Sequence, residues 1–277
     1  MRDEATAFVP GHVTGFFSAH PAEDPTIAGS RGAGLTLSDG VEVTVRPTND
    51  AASTVVLDGT DVTVDPVETV LETLGVTARV EAESAVPIGA GFGVSGAMAL
   101  GTALAANRAF DRALSTNELV TIAHGAEVTA GTGLGDVVAQ AHGGIPIRLE
   151  PGGPHENELD SIPDRSRVEY VSFGQLSTAD VLSGDTDALD AAGERALARV
   201  VGEPTLESFA VASRQFAREA GLLTDRVADA IEDVATVDGE ASMAMLGETV
   251  FALGTGLSDA GYDPAVCETH SAGATLR

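Results

Sequence analysis

The chain has 277 residues, enough to bury a substantial core as one large domain or two of ordinary size. Its formal net charge is −27, from 42 acidic and 15 basic residues, and every basic residue is an arginine. The absence of lysine excludes a Schiff base, a Walker A lysine and a protein-kinase-type catalytic lysine, while the acidic balance argues against nucleic acid or an anionic membrane as a partner.

Residues 1–86 read as strands with one helix among them. Residues 7–17, AFVPGHVTGFF, are apolar and aromatic. Residues 34–37 and 41–45 flank Ser38-Asp39-Gly40, and residues 53–57 and 61–65 flank Asp58-Gly59, with alternating apolar positions that predict hairpins. After Pro66, residues 67–75 have helical spacing and a stop at Gly75, and residues 76–86 return to strand. Residues 87–107, PIGAGFGVSGAMALGTALAAN, combine a proline, glycines at 89, 91, 93, 96 and 101, and a run long enough for about four helical turns. Ser115-x-x-Glu118 is a capping box that opens another helix. A second glycine turn, GTGLGD at 131–136, leads into a short helix closed by Gly143 and Gly144, and residues 145–149 read as a strand. The polar, proline-broken stretch 151–167 is the best candidate boundary, dividing the chain into domains 1–150 and 151–277. Beyond it, residues 168–173 read as strand, helices follow near 187–201, 204–220 and 222–235, and a last strand lies near 266–276. Strands and helices in this order make an α+β arrangement.

The glycine-rich segment is the most informative. Glycines let backbone approach a ligand and take φ > 0, and the helix behind them directs free N–H groups and its positive dipole end into the loop. Such a loop wants an anion, above all a phosphate. The uncharged stretch between Glu83 and Arg108 is long enough to span a membrane, but its glycines and proline argue against that. Close packing of a helix on a sheet is the structural alternative. Gly91, Gly93 and Gly96 also form a G-x-G-x-x-G, with Asp111 at the spacing of a ribose-binding acid. A nicotinamide-dependent oxidoreductase would use that pattern, yet no strand precedes Asp111.

Three oxygen-bearing side chains have the chemistry of phosphoryl transfer. Ser95 and Glu127 offer a hydroxyl and a carboxylate to Mg²⁺, and Asp136 is suited to orient an attacking hydroxyl or accept its proton. Taken singly, each has a structural alternative as a cap or an exposed helical charge. His124 lies three residues before Glu127 and so shares its helix face. Arg148 and Arg31 offer guanidinium forks to a carboxylate substrate, against the alternative of ordinary ion pairs.

P-x-x-x-G-F-G-V-S-G-A at 87–97 resembles the second signature motif of the GHMP kinase superfamily, and the resemblance extends to Glu127 and to GTGLGDVVAQAHGG at 131–144. It implies a GHMP kinase fold with a ribosomal-protein-S5-domain-2-like N-terminal half and a ferredoxin-like C-terminal half, and an enzyme using ATP and Mg²⁺. Pro87, Gly89, Gly91, Gly93, Ser95, Gly96 and Ala97 would wrap the ATP phosphates, Ser95 and Glu127 would hold Mg²⁺, and Asp136, Arg148 and His124 would be catalytic. The usual P-G-K or P-G-R of the first motif reads Pro10-Gly11-His12, and the third motif, at 241–253, has lost most of its glycines. PGHVTGFF, GSRGAG and SMAMLGETVFAL together resemble the archaeal pantoate kinases, implying transfer of the ATP γ-phosphoryl group to the 4-hydroxyl of pantoate in coenzyme A biosynthesis. Ser30, Arg31, His12 and Thr178 are then the expected substrate contacts. A kinase of homoserine, mevalonate or shikimate and a non-catalytic ATP-sensing descendant remain alternatives, and a homodimer is left open.

The strong acidity with 43% hydrophobic residues resembles that of haloarchaeal cytoplasmic proteins and is not a disorder signature. A single cysteine, Cys267, excludes an internal disulfide framework and a multi-thiolate metal site. With Asp3 and Glu4 and no long apolar run at the N-terminus, no signal peptide is expected, and the expected location is the cytoplasm. In molar salt the Debye length falls to about 3 Å, which screens the self-repulsion of such a chain. The melting temperature is therefore expected to rise steeply from dilute buffer to molar KCl. A thermal scan that stays flat over that range would refute the screening account.

Overall fold

The computed structural model describes residues 2–175 and 187–277. Its first sheet is built on two long strands, β1 (Ala5–His20) and β2 (Gly29–Pro47), paired antiparallel. The apolar run 7–17 is continuous because β1 is covered on both faces, which removes the usual in-out alternation. Ser38-Asp39-Gly40 does not reverse the chain as the hairpin pattern predicted. It lies inside β2, where Pro10 faces Gly40 but Gly11 faces Leu37. Pro10 has no N–H to give to the ladder, and the spare residues opposite it leave as a bulge.

Asp58-Gly59 does turn. β3 (Thr54–Leu57) and β4 (Thr60–Asp61) form a hairpin with Leu57 opposite Thr60, and the two turn residues have φ of 49° and 77°. β4 is shorter than its pattern because the chain leaves the ladder for α1 (Asp65–Leu74), which ends at left-handed Gly75. β5 (Ala78–Ser84) pairs antiparallel with the second half of β2 and parallel with β3. Three helices follow: α2 (Val94–Ala109), nearly all buried; α3 (Thr116–Ala130), opened by the Ser115/Glu118 capping box; and the short α4 (Asp136–His142). β6 (Pro146–Glu150) joins β2 at Gly32 and Ala33, and β7 (Glu158–Ser161), inside the polar stretch, joins β6.

The second sheet comprises β8 (Arg167–Gln175), β9 (Glu240–Ala244), β10 (Gly247–Leu253) and β11 (Ala265–Glu268), in the order β11-β8-β10-β9 and antiparallel throughout. α5 (Asp187–Gly202), α6 (Leu206–Glu219) and α7 (Asp225–Thr236) lie between its first and second strands, and the one-turn α8 (Gly256–Asp259) lies between its third and fourth. A β-α-β-β-α-β order with the third strand between the first and second is the ferredoxin-like pattern. The chain then returns to the first sheet as β12 (Thr275–Leu276), beside β1.

α5 and α6 pack on β1, so one core runs through both sheets. Phe16 meets Phe209 with ring centroids 6.2 Å apart, Phe17 meets Phe216 at 5.7 Å, and Phe92 meets Tyr170 at 4.7 Å. These contacts fasten the end of β1 to α6 and the glycine-rich loop to β8. Among the described residues no helix is long and apolar enough to cross a membrane.

Candidate active site

The loop before α2 contains three left-handed glycines, Gly89, Gly91 and Gly93, with φ of 71°, 87° and 64°. Ala97 N–H makes a helical bond to the Gly93 carbonyl at 2.9 Å, so the N–H groups of Val94, Ser95 and Gly96 precede the helical ladder and point into the loop. The loop borders a cavity of about 260 Å³ that also meets Thr14, Thr132, Asp136, Met245 and Leu246. Its shape is held from three sides: Thr249 Oγ1 donates to the Ala90 carbonyl at 2.9 Å, His12 N–H to the Phe92 carbonyl at 3.0 Å, and Gln140 Nε2 to the Gly93 carbonyl at 2.9 Å. Not every expected phosphate contact faces this cavity. Ala97 is buried in the core with its N–H used by the helix, and Pro87 stands before the loop. Gly96 keeps only its N–H toward the loop, and its missing side chain admits α4, since a Cβ there would lie 3.2 Å from Val137.

The second glycine turn brings two carboxylates together. A Cβ at Gly133 would lie 2.6 Å from Glu127 Oε2 and 3.3 Å from Asp136 Oδ2. Ser95 Oγ donates to Glu127 Oε2 at 3.3 Å, while Glu127 Oε1 is buried without a partner. Burial, reinforced by the negative charge of Asp136, pushes Glu127 up to about 7. Asp136 is the first residue of α4, and its Oδ1 accepts from His12 Nδ1–H at 2.6 Å. Burial pushes Asp136 upward, but the His12 hydrogen bond and the charges around it outweigh this and hold it below its ordinary value. His12 is itself fully buried, against Gly34, where a Cβ would lie 2.2 Å from its Nε2. Burial keeps the His12 pKa low despite Asp136, so the imidazole is neutral and donates its Nδ1–H to the aspartate.

Arg148 is 1% exposed, and its Nε and Nη1 have no partner. Burial pushes it down to about 10, with Asp136 opposing. With Phe17, Ser30, Leu134 and Gly135 it lines a small second cavity that shares Thr14, Asp136 and Leu246 with the first. Ser95, Glu127, Asp136, Arg148 and Ser30 are therefore brought to one place. Other expected contacts are not. His124 borders neither cavity, and its Nε2–H donates to the Ala28 carbonyl at 2.8 Å, supporting the 28–30 segment from behind. Arg31 is tied to the Leu149 carbonyl at 2.6 Å and to Glu194 at 2.9 Å, so it is not a free fork for substrate. His12 does reach Asp136 but borders neither cavity, and Thr178 lies outside the described residues. Asp111 falls in a turn after α2, with φ 49°, so the dinucleotide pattern lacks its second strand. Thr14, Thr132, Thr249 and Leu246 were missed, and the signal for Thr14 and Thr249 was a hydroxyl within an otherwise apolar strand.

The donor set fits Mg²⁺. Ser95 Oγ and the unpartnered Glu127 Oε1 are hard oxygen donors, and Mg²⁺ takes few protein ligands beside phosphate oxygens and water. No group of three or more His, Cys, Asp or Glu placed to hold a metal occurs among the described residues.

Residues 63–144 match the GHMP kinases N terminal domain. The chain is 37% identical over 266 residues to a pantoate kinase of Thermococcus kodakarensis, covering 89% of this chain and 86% of that protein. It is 34% identical over 254 residues to a pantoate kinase of Methanocaldococcus jannaschii, covering 89% and 91%. A solved structure described as a phosphotransferase related to the CoA biosynthesis pathway superposes with a TM-score of 0.87 at 33% identity, over 99% of this chain and 98% of that one. The two-sheet α+β architecture described above is thus the GHMP kinase fold. With that identity sustained along nearly the whole length, the chain belongs to the pantoate kinases of the GHMP kinase superfamily.

Proposed function

We propose that this chain transfers the γ-phosphoryl group of ATP to the 4-hydroxyl of pantoate, with Mg²⁺ as the accompanying cation. The observation that supports this best is that a glycine-loop cavity and an Arg148 cavity meet at Asp136. In this reading, residues 1–150 hold the nucleotide phosphates and residues 151–277 supply the hairpin that buttresses their loop. The free N–H groups of Val94, Ser95 and Gly96 receive the phosphate oxygens. When bound by Ser95 and Glu127, Mg²⁺ offsets the charge on the phosphate oxygens. The unpaired Nε and Nη1 of Arg148 receive the acceptor carboxylate, for which a buried guanidinium is well suited. Asp136 takes the hydroxyl proton on Oδ2, because Oδ1 is held by His12. His124 and His12 are positioning residues: one supports the Ala28–Ser30 backbone, and the other sets the direction of the Asp136 carboxylate.

A panel of pantoate, homoserine, mevalonate and shikimate with ATP in molar KCl, read as ADP release, tests the assignment. Turnover on pantoate alone is expected. Efficient turnover on another acceptor with none on pantoate would overturn it. The His12 role has its own check. His12→Leu is expected to lower kcat by roughly tenfold or more, the worth of one hydrogen bond to a charged group. His12→Asn, whose amide N–H can stand where Nδ1–H stands, should keep most of kcat, and neither variant should change nucleotide affinity appreciably.

A further inference from the structure

Among the described residues four non-glycines have positive φ: Asp58, Asp111, Asp238 and Leu246. Aspartate tolerates this region because its short side chain bonds locally, whereas leucine has no such compensation. Leu246, at φ 65°, is the tip of the β9–β10 hairpin, and the backbone on either side of it is pinned. Met245 N–H donates to the Thr14 carbonyl at 3.0 Å, and Gly247 lies so close to the glycine loop that a Cβ would stand 2.0 Å from the Ala90 carbonyl oxygen. Glycine would adopt the turn without strain, yet the sequence places a leucine there. A strained residue on a cavity wall points to a use for its side chain.

That use follows from its place. Leu246, Thr14 and Asp136 are the residues that border both cavities, so they bound the passage between them. Thr14 contributes a hydroxyl and Asp136 a carboxylate; Leu246 contributes the apolar side. Water in this passage would compete with the acceptor. Its oxygen would bond to the γ-phosphorus, the bond to the β–γ bridging oxygen would break, Asp136 would take the proton, and ADP and inorganic phosphate would leave. We propose that Leu246 is the apolar wall of the transfer passage, seating the acceptor against Asp136 and excluding water from the attacking position. The assignment of pantoate and ATP given above underlies this reading.

The test compares wild type with Leu246→Gly, which relieves the turn, Leu246→Asn, which tolerates the turn but is polar, and Leu246→Met, which keeps apolar bulk. ADP release is measured in molar KCl with ATP and Mg²⁺, with and without pantoate. In the Gly and Asn variants acceptor-independent ADP release and the KM for pantoate are each expected to rise about tenfold, while the KM for ATP stays within about twofold. The Met variant should stay near wild type. A purely structural role for the turn predicts the opposite for Gly, which fits the backbone better. Acceptor-independent release and pantoate KM both within about twofold of wild type in the Gly and Asn variants would overturn the proposal. Acceptor-independent release is read without pantoate, so it tests the wall even where wild type leaves pantoate untouched, a result that would instead overturn the acceptor assignment.

Discussion

Asp136→Asn is expected to lower kcat by about 10²–10⁴-fold, the range that a positioned general base supplies. The substitution removes the proton acceptor with little disturbance elsewhere, because the amide oxygen can still accept from His12 Nδ1–H and α4 keeps its packing. Nucleotide affinity should hold or rise slightly, since a negative charge beside the phosphate site is gone. Single-turnover kinetics with separate measurement of nucleotide binding check both halves of this expectation. A variant that retains near-normal kcat would remove Asp136 from the catalytic role. Parallel losses of kcat and nucleotide affinity would make it part of the nucleotide grip.

Glu127→Gln is expected to abolish most turnover and yet to stabilise the ligand-free protein at high pH. In the folded chain burial raises the Glu127 pKa to about 7 from an ordinary 4.5. The folded state therefore holds this proton more tightly than the unfolded state, and native stability falls as pH rises from the ordinary value through the raised one. Above that window the ionised carboxylate costs on the order of 3 kcal/mol, and well below it the penalty is absent. Gln carries no charge to bury, so the variant should melt several degrees higher than wild type at pH 8, with the difference shrinking toward pH 5. Added Mg²⁺ and ATP should raise the wild-type melting temperature more than that of the variant, because the native carboxylate then gains a cation. Thermal scans in molar KCl at the two pH values, with and without ligands, measure this. A variant that melts below wild type at pH 8 would show that the carboxylate stabilises the empty site. A destabilised group kept at an active site is the ordinary trade between stability and activity.

Much of the local structure was legible in the chain. The Ser115/Glu118 box, the Asp58-Gly59 turn and the Gly75 stop depend on residues within one or two turns of each other, and each forms as its side chains require. The glycine-rich loop was legible for the same reason, since its positive-φ glycines and the helix that follows are contiguous. Ser38-Asp39-Gly40 carries equally good turn chemistry and becomes a bulge, because Pro10, on a different strand, decides what happens opposite it. Arg31 had the chemistry for a carboxylate substrate, but α5 brings Glu194 within 2.9 Å of it. The sequence of Leu246 shows an ordinary hydrophobic residue, and only its backbone conformation and the two cavities beside it set it apart.

By itself the sequence determined the class of chemistry. The lack of lysine, the glycine loop, Ser95, Glu127 and Asp136 restrict that chemistry to hard oxygen donors beside a glycine loop that opens a helix, because each is a matter of residue type and short spacing. The tertiary structure alone decided which groups reach one another. The docking of β1 and β2 against α4 turns His12 to Asp136 across 124 residues, the second glycine turn draws Glu127 and Asp136 together, and the β9–β10 hairpin carries Leu246 into the passage between the cavities. Local spacing cannot encode these meetings, since they follow from strand register and from close packing of elements far apart in the chain.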